Sequence, residues 1–180
     1  METFHLLRSP LGPLLLALEE DSITGLWFEG QGTAPKGAVL SGAAPAPVRA
    51  AADWLARYFG GKNPGPAPLP LKPQGTDFQK AVWTLLAHTP YGRTAAYGAL
   101  SAVLREHGLN ASPRAVGNAV GRNPISILLP CHRVVGADGS LTGYAGGTER
   151  KAYLLSLEGA SARRPMDPAA FAAFLHETEI

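Results

Sequence analysis

One cysteine in 180 residues leaves no partner for an internal disulfide, and no cluster of Cys and His has zinc-site spacing. A disulfide-stapled secreted scaffold and a structural metal site are therefore not expected. Long apolar runs are missing too. Nothing approaches the roughly twenty residues that a membrane span needs, and no basic segment followed by a short apolar stretch marks an export signal. The expectation is a soluble, cytoplasmic protein with no membrane partner. Net charge is small, +2, and does not by itself identify a nucleic-acid binder. Acidic residues are scarce in one place: from Arg105 to Arg133 the chain sets Arg105, Arg114, Arg122 and Arg133 against Glu106 alone. That distribution fits a positive face, and equally an ordinary solvated surface. There is no internal repeat.

What is present is enough apolar material, 46% of residues, to bury a core in one domain or two small ones. Phe4 to Leu7, Gly12 to Leu18 and Ile23 to Phe28 read as strands of an antiparallel meander. A loose connection rich in Gly, Ala and Pro follows from Gly30 to Pro47, then a helix from Val48 to Phe59 stopped by Gly60 and Gly61. The proline-dense run Asn63 to Pro73 reads as an extended linker, so the expected domains are residues 1–74 and 75–180. Beyond it helices dominate. Thr76 and Gln79 have capping-box spacing ahead of Phe78, Val82, Leu85 and Leu86. Tyr97 to Glu106 reads as a second helix, and Ser112-Pro113 as the cap and first turn of a third, which Asn123-Pro124 closes. The last two join through a tight Gly-containing turn, a helix-turn-helix pattern. Further helices are expected from Thr148 to Glu158 and from Asp167-Pro168 onward, the latter docking Phe171, Phe174 and Leu175. The fold class is α+β, a small sheet with a helix followed by a helical domain.

The stretch Leu128-Leu129-Pro130-Cys131-His132-Arg133 holds the only thiol, set beside an imidazole and a guanidinium. A thiolate is a strong nucleophile, and a neighbouring base or cation lowers the cost of forming it. A buried lone cysteine is also commonly an inert small hydrophobe, and adjacency alone leaves both readings open. Apolar Ile125, Ile127, Leu128 and Leu129 lead into Pro130 on a constrained backbone. Downstream, Arg133 to Leu141 reads as a short strand, an Asp-Gly turn and a return strand.

Read together, the helix pair, the Asn123-Pro124 turn, the Pro130-Cys131-His132-Arg133 run and the later Leu154-Leu155 helix ending at Glu158 resemble the O6-alkylguanine-DNA alkyltransferases. The similarity is closest from Phe78 to Gly159, and above all from Arg114 to Val134. In outline the amino-terminal half matches the ribonuclease-H-like domain of that family. The resemblance implies direct, single-use DNA repair. A damaged guanine is flipped out of double-stranded DNA, and a cysteine removes the alkyl group from its O6 atom; O4-alkylthymine is a further possible substrate.

Carried over by position, the resemblance makes Cys131 the alkyl acceptor, His132 the base that takes its proton through a bridging water, and Glu158 the group that orients the histidine. Without the resemblance Glu158 reads as a solvated acid opposing its helix dipole. Tyr97 corresponds to the tyrosine that hydrogen-bonds the flipped base, where a packed tyrosine is the plain reading. Arg114 corresponds to the arginine that fills the vacated space, and its charge fits a first helical turn poorly. Small Ala115 and Gly117 suit a helix laid in the minor groove, or simple close packing. Asn123 would tie the helix pair to the active-site turn. Main-chain groups of Val134 and Ala145, with Tyr144 beside them, would form the base pocket; some relatives have serine in place of Ala145, which leaves the substrate range open. Arg133 joins the expected DNA contacts. No cofactor and no metal are expected, since the cysteines that bind zinc in some relatives are absent here, and the expected state is a monomer. A non-enzymatic, alkyltransferase-like lesion sensor is the alternative, distinguished by lacking the acceptor cysteine. A plain helix-turn-helix regulator would leave Cys131, His132 and Glu158 unexplained.

Overall fold

Strands Glu2–Leu7 (β1), Leu14–Glu19 (β2) and Ser22–Phe28 (β3) pair in that order as an antiparallel meander. The computed structural model in which they lie describes residues 1–178, so Glu179 and Ile180, the end of the expected second domain, fall outside it. Every residue of β3 is buried, and its free edge is covered by two short segments. Ile23 donates to the Pro70 carbonyl and accepts from Lys72, both at 2.8 Å; Leu26 donates to the Pro124 carbonyl at 2.9 Å and accepts from Ser126 at 2.8 Å. The proline-dense run is thus extended as read from the sequence, but it is docked rather than a free linker. The residues flanking Leu71 supply one carbonyl and one amide to the sheet edge, where prolines are tolerated.

Ala46–Phe59 (α1) begins two residues before the expected Val48. It buries Val48, Ala51, Trp54, Leu55 and Tyr58 on one stripe, and the Trp54 indole donates to the Pro66 carbonyl at 2.8 Å. Residues 1–74 and 124–128 form one compact unit.

The second unit comprises residues 75–123 and 129 onward. Asp77–Ala87 (α2) opens with the capping box read from Thr76 and Gln79, both reciprocal bonds being present. Ala95–Ala96 (β4) runs straight into Tyr97–Glu106 (α3), and a turn with Gly108 at φ +82° leads to Pro113–Gly121 (α4). That φ lies in the left-handed region, where a side chain is costly. Ser112 caps α4 by accepting from the Ala115 amide at 3.1 Å, and the Trp83 indole of α2 donates to the Ala119 carbonyl of α4 at 2.8 Å. Helices α2, α3 and α4 pack on one another around Val82, Leu86, Leu100 and Val116, all fully buried.

Val134–Val135 (β5) pairs in parallel with β4. The expected hairpin is corrected here: the Gly136 amide closes the turn onto the Ser140 carbonyl at 2.9 Å, but the chain beyond it forms a loop, not a return strand. The two-residue strand has taken β4 as its partner, leaving the downstream segment free of the ladder. Thr148–Glu158 (α5) ends at Gly159 with φ +68°, and Pro168–Glu177 (α6), capped by Asp167, packs on α3. The α+β class read from the sequence holds.

Candidate active site

Two tight turns bring the chain to Cys131. At Ile127, φ is +71° and the Leu128 amide bonds back to the Ser126 carbonyl at 2.8 Å. This γ-turn is of the strained kind, rare for a β-branched residue. At Pro130 (φ −79°, ψ 65°) the Cys131 amide reaches the Leu129 carbonyl at 2.7 Å, the relaxed inverse form that proline's fixed φ suits. Cys131–Arg133 then forms one 3-10 turn. Asn123, buried just past α4, donates from Nδ2 to the Leu129 carbonyl at 2.8 Å and to Cys131 Sγ at 3.0 Å. Burial pushes the thiol up to about 11, outweighing the Asn123 hydrogen bond and the Lys151 charge that pull it down. At neutral pH the resting group is a thiol, so the neighbouring groups moderate the cost of ionisation without removing it.

His132 is wholly buried, and its Nε2 lies 2.6 Å from Glu158 Oε1. Arg133 grips the same carboxylate from the other side, Nε to Oε2 at 2.9 Å and Nη2 to Oε1 at 3.1 Å, while Nη1 donates to the Thr89 carbonyl at 2.6 Å. The Gly92 amide adds a fourth donor to Glu158 at 3.1 Å. Burial alone would raise the Glu158 carboxyl, but the hydrogen bonds and charges of His132 and Arg133 together hold it well below the usual carboxylate range. Burial depresses His132, against the pull of Glu158. An ionised carboxylate only accepts, so Nε2 carries the hydrogen and Nδ1 the basic lone pair of the neutral ring. Arg133 corrects the sequence reading, which placed it among DNA contacts. It is 9% exposed with its guanidinium turned inward, because Glu158 at the C-terminal end of α5 needs a cation against both burial and the helix dipole.

Tyr97, at the start of α3, donates to the Thr142 carbonyl at 2.9 Å. Burial, with the nearby Cys131 second, raises its hydroxyl to about 12, so it stays a donor. The tyrosine lines a cleft of about 330 Å³ with Pro113, Arg114, Gly117, Asn118, Thr142 and Gly143. Arg114 is exposed, and Ala115 and Gly117 are half-buried on the same helix. A side chain on Gly143 (φ +82°) would place its Cβ 3.1 Å from the Tyr97 hydroxyl. Tyr144 is buried and Ala145 half-buried.

Sequence reasoning missed Lys151. It is fully buried, and its Nζ donates to the Val134 carbonyl at 2.6 Å and reaches that of Thr142 at 3.5 Å. A signal existed: Lys151, Leu154, Leu155 and Glu158 occupy the inward stripe of α5, where a lysine is out of place. Among the described residues no group of three or more His, Cys, Asp or Glu could hold a metal ion, and no helix is long and apolar enough to cross a membrane.

Residues 3–73 match the family model described as 6-O-methylguanine DNA methyltransferase, ribonuclease-like domain, and residues 77–160 match the corresponding DNA-binding domain. The methylated-DNA–protein-cysteine methyltransferase of Methanosarcina barkeri is 40% identical over 168 residues, covering 86% of this chain and 96% of that protein. Its namesake from Haemophilus influenzae is 43% identical over 150 residues, covering 83% of this chain and 82% of that protein. The crystal structure of Mycobacterium tuberculosis O6-methylguanine methyltransferase superposes with a TM-score of 0.76 at 40% identity, covering 95% of this chain and 99% of that one. A structure of the mycobacterial protein in complex with DNA gives the same TM-score at 38% identity, covering 94% and 99% of the two chains. Both halves match, at an identity carried along nearly the whole length, and this chain therefore belongs to the 6-O-methylguanine DNA methyltransferase family.

Proposed function

We propose that the protein repairs DNA directly, moving the methyl or alkyl group of an O6-alkylguanine onto Cys131 in a single, stoichiometric turnover. The observation that carries this reading is the convergence on one thiol and its neighbour: Asn123 on the sulfur, and Glu158 with Arg133 on the adjacent imidazole. In the reaction, His132 accepts the thiol proton through a bridging water. Sulfur attacks the alkyl carbon, the S–C bond forms, and the C–O6 bond breaks with its electron pair staying on the guanine. The Tyr97 hydroxyl then leaves Thr142 to hydrogen-bond the departing base. Alkyl group, electron pair and proton are all accounted for, so the step needs no cofactor and no metal.

A base inside the stack cannot be reached by sulfur, so the nucleotide must be extruded. Helix α4 enters the minor groove of double-stranded DNA, where Ala115 and Gly117 permit close approach, and Arg114 fills the space the base leaves. Main-chain groups of Val134 and Ala145, beside Tyr144, read the guanine edge; O4-alkylthymine is a further candidate. Residues 75–180 carry this chemistry as a domain distinct from 1–74, and the protein acts as a cytoplasmic monomer. The presence of Cys131 speaks against a lesion sensor without transfer activity.

Incubation with a duplex containing O6-methylguanine is expected to add the mass of one methyl group to the peptide bearing Cys131. Cys131→Ala should abolish transfer and keep DNA binding, and transfer surviving in that variant would end the proposal. Arg114→Ala should slow repair in duplex DNA far more than reaction with the free base, because only the duplex requires extrusion.

A further inference from the structure

Asn118 stands in the middle of α4, exposed, on the face that carries Arg114 and Gly117, while Val116, Ala119 and Val120 fill the buried stripe. It lines the same cleft as Tyr97 and Arg114. Among the described residues no hydrogen bond holds its carboxamide, whereas the Tyr97 hydroxyl is engaged by Thr142. Asparagine is a poor helix former, and at an exposed interior position it stabilises neither the helix nor the core. Local structure therefore gives no reason for it. The cleft supplies one. A Cβ added at Gly117, the preceding residue, would lie 3.9 Å from the Tyr97 ring, so this turn of α4 borders the place where an extruded base would be met. Of the α4 residues lining the cleft, Pro113 and Gly117 carry no polar side-chain group and Arg114 only donates. Asn118 both donates and accepts.

The minor groove offers such a group one distinctive target. A·T and T·A pairs present acceptors alone, and a G·C pair adds the guanine 2-amino donor. A carboxamide matches that edge with both of its ends, Oδ1 accepting from the 2-amino group and Nδ2 donating to the ring nitrogen N3. Four residues of helix advance about 6 Å and base pairs stack about 3.4 Å apart, so Asn118 comes within about two pairs of the space assigned to Arg114. We infer that Asn118 is a specificity-determining residue for the repair: its carboxamide reads a guanine one or two pairs from the lesion, so an alkylated guanine beside G·C is repaired faster than one beside A·T. This rests on the repair reading and on α4 as the groove-facing helix.

The test is the second-order rate of repair by the intact protein on duplexes with one O6-methylguanine. Guanine in either strand, at each of the two pairs on either side of the lesion, is exchanged in turn for inosine. Inosine lacks the 2-amino group but keeps N3, the major-groove edge and the pairing with cytosine. At one of these positions the ratio of guanine to inosine rates should be about fivefold higher in the wild type than in Asn118→Ala or Asn118→Leu. Both variants put a better helix former at an exposed site, and the effect of inosine on extrusion itself is common to all three proteins and cancels. Leucine keeps the bulk of asparagine without its hydrogen bonds. A ratio retained in Asn118→Leu would trace the preference to bulk and overturn the inference. Equal ratios in all three proteins at every position overturn it as well, even where the variants are slower throughout, which is the mark of a part in the scaffold. A wild type that repairs no duplex brings down the repair reading; one that repairs them all, with ratios no different from the variants, brings down this inference alone.

Discussion

Glu158 and Lys151 are two charges buried on one face of α5, and each makes stability rise with pH, the first in the acid range and the second in the alkaline. Glu158 and His132 both titrate lower in the fold than when exposed. Their contributions are present above the unfolded values and are lost as pH falls, so acid should destabilise the protein and Glu158→Gln should flatten that acid limb in urea titrations. Lys151 works on the alkaline side. It holds its proton to about 8 when folded and to 10.5 when unfolded, so between those values the unfolded chain binds the extra proton and stability climbs with pH. Cys131 has the opposite sign from 9.0 to about 11, since there the fold keeps a proton the unfolded chain has lost. Stability should therefore rise from pH 8 to 9 with a slope of up to about 1.4 kcal/mol per unit, then level off. A flat response from pH 8 to 9 would contradict the burial of an ammonium. Arg133→Ala leaves Glu158 without its cation and should cost about 3–5 kcal/mol in the same titrations. Legibility at this scale was uneven. Cys131, His132 and Glu158 could be singled out because the motif fixes their order, whereas the inward turn of Arg133 depends on which partner lies opposite. No local pattern distinguishes an arginine that meets phosphate from one that meets a carboxylate.

Elements were easier to read where a single side chain decides them. Thr76 with Gln79, Ser112 with Pro113, and Asp167 with Pro168 all cap helices where the sequence placed them. The parallel pairing of β4 with β5 was not legible, because two-residue strands carry no periodicity and the partners lie far apart in the sequence, with α3 and α4 between them. The strained turn at Ile127 was hidden for another reason: an isoleucine at positive φ runs against local preference and is held by surrounding structure. Between the elements, the loop before α5 offers a controlled test. Gly143→Ala and Gly147→Ala both place a side chain at positive φ, φ +82° and +91°, and each should cost about 1–2 kcal/mol. Only at Gly143 does the new Cβ meet the Tyr97 hydroxyl; at Gly147 it meets nothing within 4 Å. Methyl transfer should slow in Gly143→Ala well beyond its stability loss and stay near wild type in Gly147→Ala. Equal rates in the two variants would detach Tyr97 from the chemistry.

For the whole molecule, the useful distinction is which arginines face water. Arg105, Arg114 and Arg122 are exposed and Arg133 is not, although all four belong to one basic stretch of sequence. Removing a cation that neutralises one DNA phosphate should lower the slope of log affinity against log salt by about 1. Arg114→Ala should reduce that slope on undamaged duplex, and Arg133→Ala should leave it unchanged; a reduced slope in the second would restore Arg133 to the DNA surface. Net charge could not announce this arrangement, since folding decides which charges remain outside. Trp83, finally, is the one tryptophan of the second unit; Trp27 and Trp54 lie in the first. Its indole is bonded to the main chain of α4, the helix that carries Arg114. With the other two replaced by phenylalanine, the protein would hold a native fluorophore on α2, bonded to the helix proposed to enter the groove, and its emission should follow lesion engagement in real time with no dye attached.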